Sequence, residues 1–338
     1  MRAALPTLQY LVRMPEPSPT RTRRGRLLRR GASFVVLLAV AGYLAVQYVT
    51  GGTGDPACEV VSAGGDGAAY EFTPEQAVNA ATITAVGTTR GLPERAVAIA
   101  LATSLQESGL RNITHGDRDS LGLFQQRPSQ GWGTAKEILD PTYSAGEFYD
   151  HLVKVSGYAR LPLTEAAQRV QRSGYPEAYA KHEQDATLLA AALTGRAAAT
   201  LTCEGRPETT PAGGTDAVRA ALVRDFGRDV LAVAVAEVGR KAAATPTPAP
   251  TATTATDRRT VTLPVSPDTD RAAGTTVRER GWQLAHWAVA NASALHIENV
   301  TYAGRRWTAG NTDSEWRPVG TAKGSGGGTD AVRIVTTQ

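Results

Sequence analysis

Residues 105–126 read LQESGLRNITHGDRDSLGLFQQ, and they close the apolar run AVAIALATSL that starts at Ala96. Ala96, Val97, Ala100, Leu101 and Leu105 recur at helical spacing, which predicts a buried helix from near Pro93. Glu107 sits at its end, before Gly109. A carboxyl there is either a surface acid where the helix emerges or a proton donor held in a dry cleft. Burial against apolar walls penalises the charged form and keeps such a group protonated. Residues 109–135 lack periodicity and are rich in Gly, Asp, Ser and Gln, so they read as loops or short strands. Ser108 is placed to orient the carboxyl, and Gln125 and Gln126 carry amides suited to sugar hydroxyl or acetamido groups. On the residues alone, the solvated helix end is the simpler reading.

On either side of this stretch the chain reads as mostly helical. Thr73-Pro74-Glu75-Gln76 is a capping box with proline at the first helical position, starting a helix that runs to about Val86. Ser144 with Glu147 makes a second box leading into EFYDHLVKV. Further helices follow from Thr164 and from Pro176, the last stopped by Gly195. Cys58 and Cys203 are the only cysteines and bracket this region. An even pair in an oxidising compartment favours a disulfide, and closing so long a loop contributes about 4–5 kcal/mol in the chain-entropy account.

The compartment follows from the N-terminus. Residues 1–31 hold eight arginines against one acid, Glu16, and residues 32–49 carry no charge. At about 1.5 Å per residue the latter span roughly 27 Å, enough for a hydrocarbon core. Arginines stay on the cytoplasmic side. The expectation is a single-pass, N-terminus-cytoplasmic membrane protein: a basic arm (1–31), a transmembrane helix (32–50), a glycine-rich tether (51–69), and the bulk of the chain extracellular. The alternative is a long cleaved signal peptide. The net charge is only +4, and without the arm the remainder is slightly acidic, so nucleic acid is not an expected partner.

After the helical domain (70–205) come a helical segment (215–242), a Pro/Thr linker (243–258) and a small α+β domain (259–338). In the last, RTVTLPV alternates as a strand, VRERGWQLAHWAVANASAL is helical, HIENVTYAGRRW forms two strands turning near Ala303-Gly304, and DAVRIVTT is a final strand.

Glu107-Ser108 followed by Gly122-Leu123-Phe124-Gln125 resembles the E-S…G-L-(M/F)-Q signature of lysozyme-like lytic transglycosylases and goose-type lysozymes, over roughly residues 70–200. The resemblance implies a mainly-α lysozyme-like fold. It makes Glu107 the catalytic acid, with the G-L-F-Q segment lining a sugar groove opposite it. Ser108, Gln125, Gln126 and Tyr179 are then the substrate-binding candidates, Tyr179 the foremost aromatic among Trp132, Tyr143, Phe148, Tyr149, Tyr175 and Tyr179. Glu107 would protonate the leaving oxygen of the β-1,4 bond between N-acetylmuramic acid and N-acetylglucosamine. It would then act as base while the muramyl 6-hydroxyl attacks, giving a 1,6-anhydro product, or water would attack instead. Where transglycosylases carry an apolar loop this chain has THGDRDS, so Asp117 and Asp119 are candidate second carboxylates of an inverting mechanism, or only solvated turn residues.

The C-terminal segment resembles a module of secreted actinobacterial cell-wall-associated proteins, a degenerate relative of zinc peptidases whose last strand carries D-H-V-H. Here those positions are Asp330, Ala331, Val332 and Arg333, and the imidazoles a zinc site needs are missing. His115, His151, His182, His286 and His296 show no ligand spacing, so no metal and no cofactor is expected. The sequence-level expectation is a membrane-anchored enzyme cleaving peptidoglycan glycan strands, with a protein partner admitted through 215–242 or 259–338. The alternative is a catalytically inactive wall-binding or scaffold protein.

Overall fold

The structure is a computed structural model that describes residues 57–172, 176–203, 214–231, 259–265, 275–310, 315–319 and 331–337. The basic arm, the expected membrane helix at 32–50 and the linker at 243–258 lie outside the described residues. Among the described residues no helix is long and apolar enough to cross a membrane. Residues Asp55–Gln338 form one compact unit.

The unit opens with a hairpin, β1 (Cys58–Val61) and β2 (Ala69–Phe72), in residues whose glycine content suggested a tether. Two helices follow, α1 (Pro74–Thr89) and α2 (Glu94–Ser108). The Thr73–Gln76 capping box forms as its sequence requires, with Thr73 Oγ1 accepting from Gln76 N and Gln76 Oε1 from Thr73 N. Next come the short α3 (Ala135–Ile138), then α4 (Pro141–Leu152), α5 (Leu163–Gln171), a 3-10 segment (Pro176–His182) and α6 (Glu183–Leu193). The start of α4 differs from the expected Ser144–Glu147 box. Asp140, one residue before Pro141, caps it by accepting from Thr142 N and Tyr143 N, and Ser144 is buried inside the first turn. A box of that kind does form one helix earlier, between Thr134 and Glu137.

Strand β3 (Leu201–Cys203) pairs with β1 in a sheet of order β2-β1-β3. Cys58 lies directly opposite Cys203, and the two are joined by a disulfide. Helix α7 (Gly214–Phe226) breaks at Gly227 with φ 79°, a left-handed conformation that favours glycine; residues 229–231 are helical again, and the rest of the expected 215–242 segment lies outside the described residues.

The C-terminal elements are β4 (Thr260–Pro264), α8 (Val277–Ala290), α9 (Ala292–Leu295), β5 (Ile297–Tyr302), β6 (Arg305–Thr308), β7 (Arg317–Pro318) and β8 (Ala331–Thr336). The strands make one antiparallel sheet of order β4-β8-β5-β6-β7. Alternation puts Val261, Leu263, Val300, Tyr302, Trp307, Val332 and Ile334 in the core.

This sheet and its helix share a core with the helical part. Gln283 Nε2 donates to Thr88 Oγ1 at 2.7 Å, and Trp316 Nε1 donates to the Leu201 carbonyl at 2.9 Å. Trp287 Nε1 donates to Asp225 Oδ2 at 2.8 Å. Gly195, with φ 84°, lets α8 approach so closely that a Cβ there would collide with the Glu279 carbonyl. The Pro/Thr-rich linker therefore separates two stretches of sequence that pack as one body.

His286 lies in this junction, fully buried, with Nδ1–H donating to the Ala192 carbonyl at 2.7 Å. Burial pushes its pKa down to about 4. The unfolded chain takes up that proton near pH 6.5 and the folded one near pH 4, so the unfolded state gains protons first as pH falls. The contribution is complete above pH 6.5 and is lost between there and pH 4, amounting to about 3 kcal/mol. Urea unfolding at pH 7.5 and pH 4.5 should show this loss in the wild type and a much flatter profile in His286→Asn. Parallel profiles would exclude it.

Candidate functional site

The candidate site forms where α2 ends. Gly109, in the left-handed region at φ 63°, caps the helix by donating to Leu105 O and Ser104 O. Thus Glu107 projects from the last turn and not from a continuing helix. Its side chain is half-buried. Tyr179, completely buried in the 3-10 segment, donates from Oη to Glu107 Oε1 at 2.7 Å. Two residues far apart in sequence and both proposed from it are thus brought together. Residues 173–175, including the candidate Tyr175, lie outside the described residues.

The G-L-F-Q segment is a tight turn. Leu121 and Gln126 exchange both backbone bonds, at 2.9 and 3.0 Å, and close a loop of Gly122, Leu123, Phe124 and Gln125. Leu123 and Phe124 turn inward and are fully buried, Phe124 stacking on Phe148 with centroids 4.7 Å apart. A turn with apolar side chains inside leaves its carbonyls to be satisfied by side chains. Ser104 Oγ and Ser108 Oγ both donate to Leu123 O, at 3.0 and 2.8 Å, and Gln171 Nε2 donates to Phe124 O at 2.8 Å.

These bonds show what the expected site residues hold within the fold. The Ser108 hydroxyl does not orient Glu107; it is buried and ties the turn to α2, donating to Ser104 O and Leu123 O and accepting from Arg111 N. Gln126 is also buried, its amide donating to Ser144 O at 2.9 Å, so it holds α4 and does not face solvent. Gln125 is half-buried with φ 49° and donates to Gly122 O at 3.2 Å. Of the four proposed substrate contacts, Tyr179 is the one seen bonded to Glu107.

Of the two aspartates, Asp119 is bonded within its own loop and Asp117 is solvated. Asp119 accepts from Arg127 Nε and from Ser129 N, each at 2.8 Å, and the Arg127 guanidinium first among these holds its carboxyl well below the usual range. An acid held ionised by its own loop is a staple for residues 119–129. Asp117 is exposed beside Arg118 at 4.0 Å in a turn closed by Ser120 N donating to Asp117 O. Both bonding patterns are those of turn residues.

Ser104 and Gln171 were missed from sequence. Ser104 had a readable signal: with Ser108 it forms an i, i+4 polar pair on an otherwise apolar helix face. Gln171 stood only within a segment compatible with the second half of the resembled fold, and its bond could not be read because the partner is a backbone carbonyl 47 positions away. A cleft of about 600 Å³ between the β1–β2 hairpin and α6 contains Ala180, next to Tyr179, but Glu107 is not among its lining residues. Among the described residues no three His, Cys, Asp or Glu side chains gather as metal ligands.

The sheet-bearing C-terminal part is where comparison with known families finds a match. Residues 264–331 match the family model described as VldE, C-terminal domain. The match runs from the last residue of β4 to the first of β8, under half of the chain. No curated protein matches the chain.

The Tyr179–Glu107 bond yields a direct test. A hydrogen bond to a carboxylate is worth about 1.5–3 kcal/mol, so Tyr179→Phe should slow any reaction that needs the observed Glu107 geometry by roughly ten- to a hundred-fold. The circular dichroism spectrum should stay that of wild type. Unchanged kcat would mean that the bond does not position the acid.

Proposed function

We propose that this chain cleaves peptidoglycan glycan strands, with Glu107 as the general acid and then base. The observation that carries the reading is the hydrogen bond from Tyr179 to Glu107 at the end of α2, beside a turn whose carbonyls are bonded to α2 and α5. A glycosidic oxygen is a poor leaving group unless protonated as the bond breaks, so a carboxyl of fixed orientation is the part the chemistry needs. Tyr179 supplies that orientation.

Because Asp117 and Asp119 are bonded as turn residues, the chemistry most consistent with the site uses one carboxyl. Glu107 gives its proton to the leaving oxygen. The resulting carboxylate then takes the proton of the attacking hydroxyl, either the muramyl 6-hydroxyl or water. Membrane anchoring with the unit outside the cell belongs to the same proposal and rests on residues 1–50.

The test is dye release from labelled, purified peptidoglycan by residues 55–338, the compact unit. Release by wild type that disappears in Glu107→Gln supports the reading. Retention of the unit on peptidoglycan with no release, equal in both proteins, would establish the inactive wall-binding alternative instead.

A further inference from the structure

The outer face of the C-terminal sheet carries a feature that the glycan-cleaving reading does not use. The strand register places Thr262 opposite Arg333, Arg333 opposite Thr301, Thr301 opposite Arg306 and Arg306 opposite Arg317. These residues form a single transverse row across all five strands, on the face away from the buried Val261, Val300, Trp307 and Val332. Arg306, Arg317 and Arg333 are exposed. Adjacent strands lie about 4.8 Å apart, so the row from Arg333 to Arg317 is roughly 14 Å long.

Arg306 and Arg317 stand directly opposite each other across β6 and β7. They line a cleft of about 570 Å³ together with Thr308 and Glu315. Arg306 Nε also donates to Thr301 Oγ1 at 3.4 Å, so the hydroxyl between two arginine positions is drawn into the row.

We propose that this row binds a linear phosphate polymer. Guanidinium forks pair with phosphate oxygens in a planar, two-bond geometry, and the threonine hydroxyls between them supply further donors. A single phosphate spans too little of a 14 Å row to meet both Arg333 and the Arg306–Arg317 pair, whereas successive groups of a chain meet all three. The described positions beside the row are Thr260, Asn299, Thr308 and Val335 on one side, Pro264 and Ala331 on the other, and Glu315 and Val319 next to Arg317. None is aromatic, which disfavours single-stranded nucleic acid with its stacked bases, and none is a large apolar anchor for a bilayer or an acidic peptide.

The experiment measures binding of labelled inorganic polyphosphate of defined length to the full chain. The N-terminal arginines bind it equally in every variant, so the difference between variants reports the row. R306Q/R317Q/R333Q should bind at least ten-fold more weakly, with the salt dependence reduced by about one unit of slope per arginine removed. The charge-matched R160Q/R169Q/R219Q should stay within two-fold of wild type. Single substitutions R306Q and R333Q give the same reading, with smaller losses, if the triple variant does not fold. Equal loss in the charge-matched variant, no loss in the row variant, or equal competition by polyglutamate would overturn the proposal. So would a row dependence seen with phosphatidylglycerol vesicles and not with polyphosphate.

Discussion

Glu107→Gln should lower muropeptide release by about 10²- to 10⁴-fold, the usual worth of a general acid–base group, with little change in stability. The amide keeps the shape of the side chain and still offers an oxygen to Tyr179 Oη, so the lost function is proton transfer alone. Glu107 is half-buried at a helix end and outside the apolar core, which is why the fold should tolerate the change. Steady-state release from peptidoglycan, with thermal unfolding of the same samples, separates the two effects. Full activity in the variant would remove Glu107 from the chemistry.

A second large effect is expected far from that site. Asp225→Ala should destabilise the unit by about 1.5–3 kcal/mol, the range for hydrogen bonds to a charged group. The Asp225 side chain is fully buried on α7. It accepts from Arg224 Nε at 2.7 Å and Nη2 at 3.1 Å, from Trp287 Nε1 at 2.8 Å on α8, and from Thr82 Oγ1 at 3.4 Å on α1. One carboxylate thus joins three helices, two of them on opposite sides of the Pro/Thr linker in sequence. Alanine removes the acceptor and leaves a buried indole N–H without its partner. Asp216→Ala on the same helix is the control: its pair with Arg219 is exposed, and such pairs are worth at most about 1 kcal/mol. Urea denaturation of both variants measures the difference, and similar midpoints would refute the junction's role.

The sequence revealed most where structure is decided locally. The Thr73 capping box, the α2 stripe ending at Gly109 and the alternation of β4 and β8 each depend on a few neighbouring residues, and each appears as expected. The Ser144 box did not form because Asp140 before Pro141 is the better cap, and the Thr134–Glu137 box nearby escaped notice. The β1–β2 hairpin was hidden among glycines because its order comes from pairing with β3, over a hundred residues away. Asp225 stood on the Val218–Leu222 stripe of α7, and an acid on an apolar stripe was its only signal. At the candidate site, the spacing from Glu107 to Gly122 pointed to two segments that the fold bonds together. It gave no sign of the backbone carbonyls that Ser108 and Gln126 bond, because those partners lie 15 and 18 positions away.

The C-terminal sheet changes how its own histidine-poor last strand is read. Arg333, at one of the positions where the expected zinc signature carries histidine, lies on the outer face in line with Arg306 and Arg317.

The central claim is tested most directly by mass spectrometry of peptidoglycan digested with residues 55–338, wild type against Glu107→Gln. The account predicts soluble muropeptides from the wild type, ending in 1,6-anhydro-muramyl or reducing muramyl residues, and none from the variant. Identical spectra from the two proteins, with or without products, would contradict it.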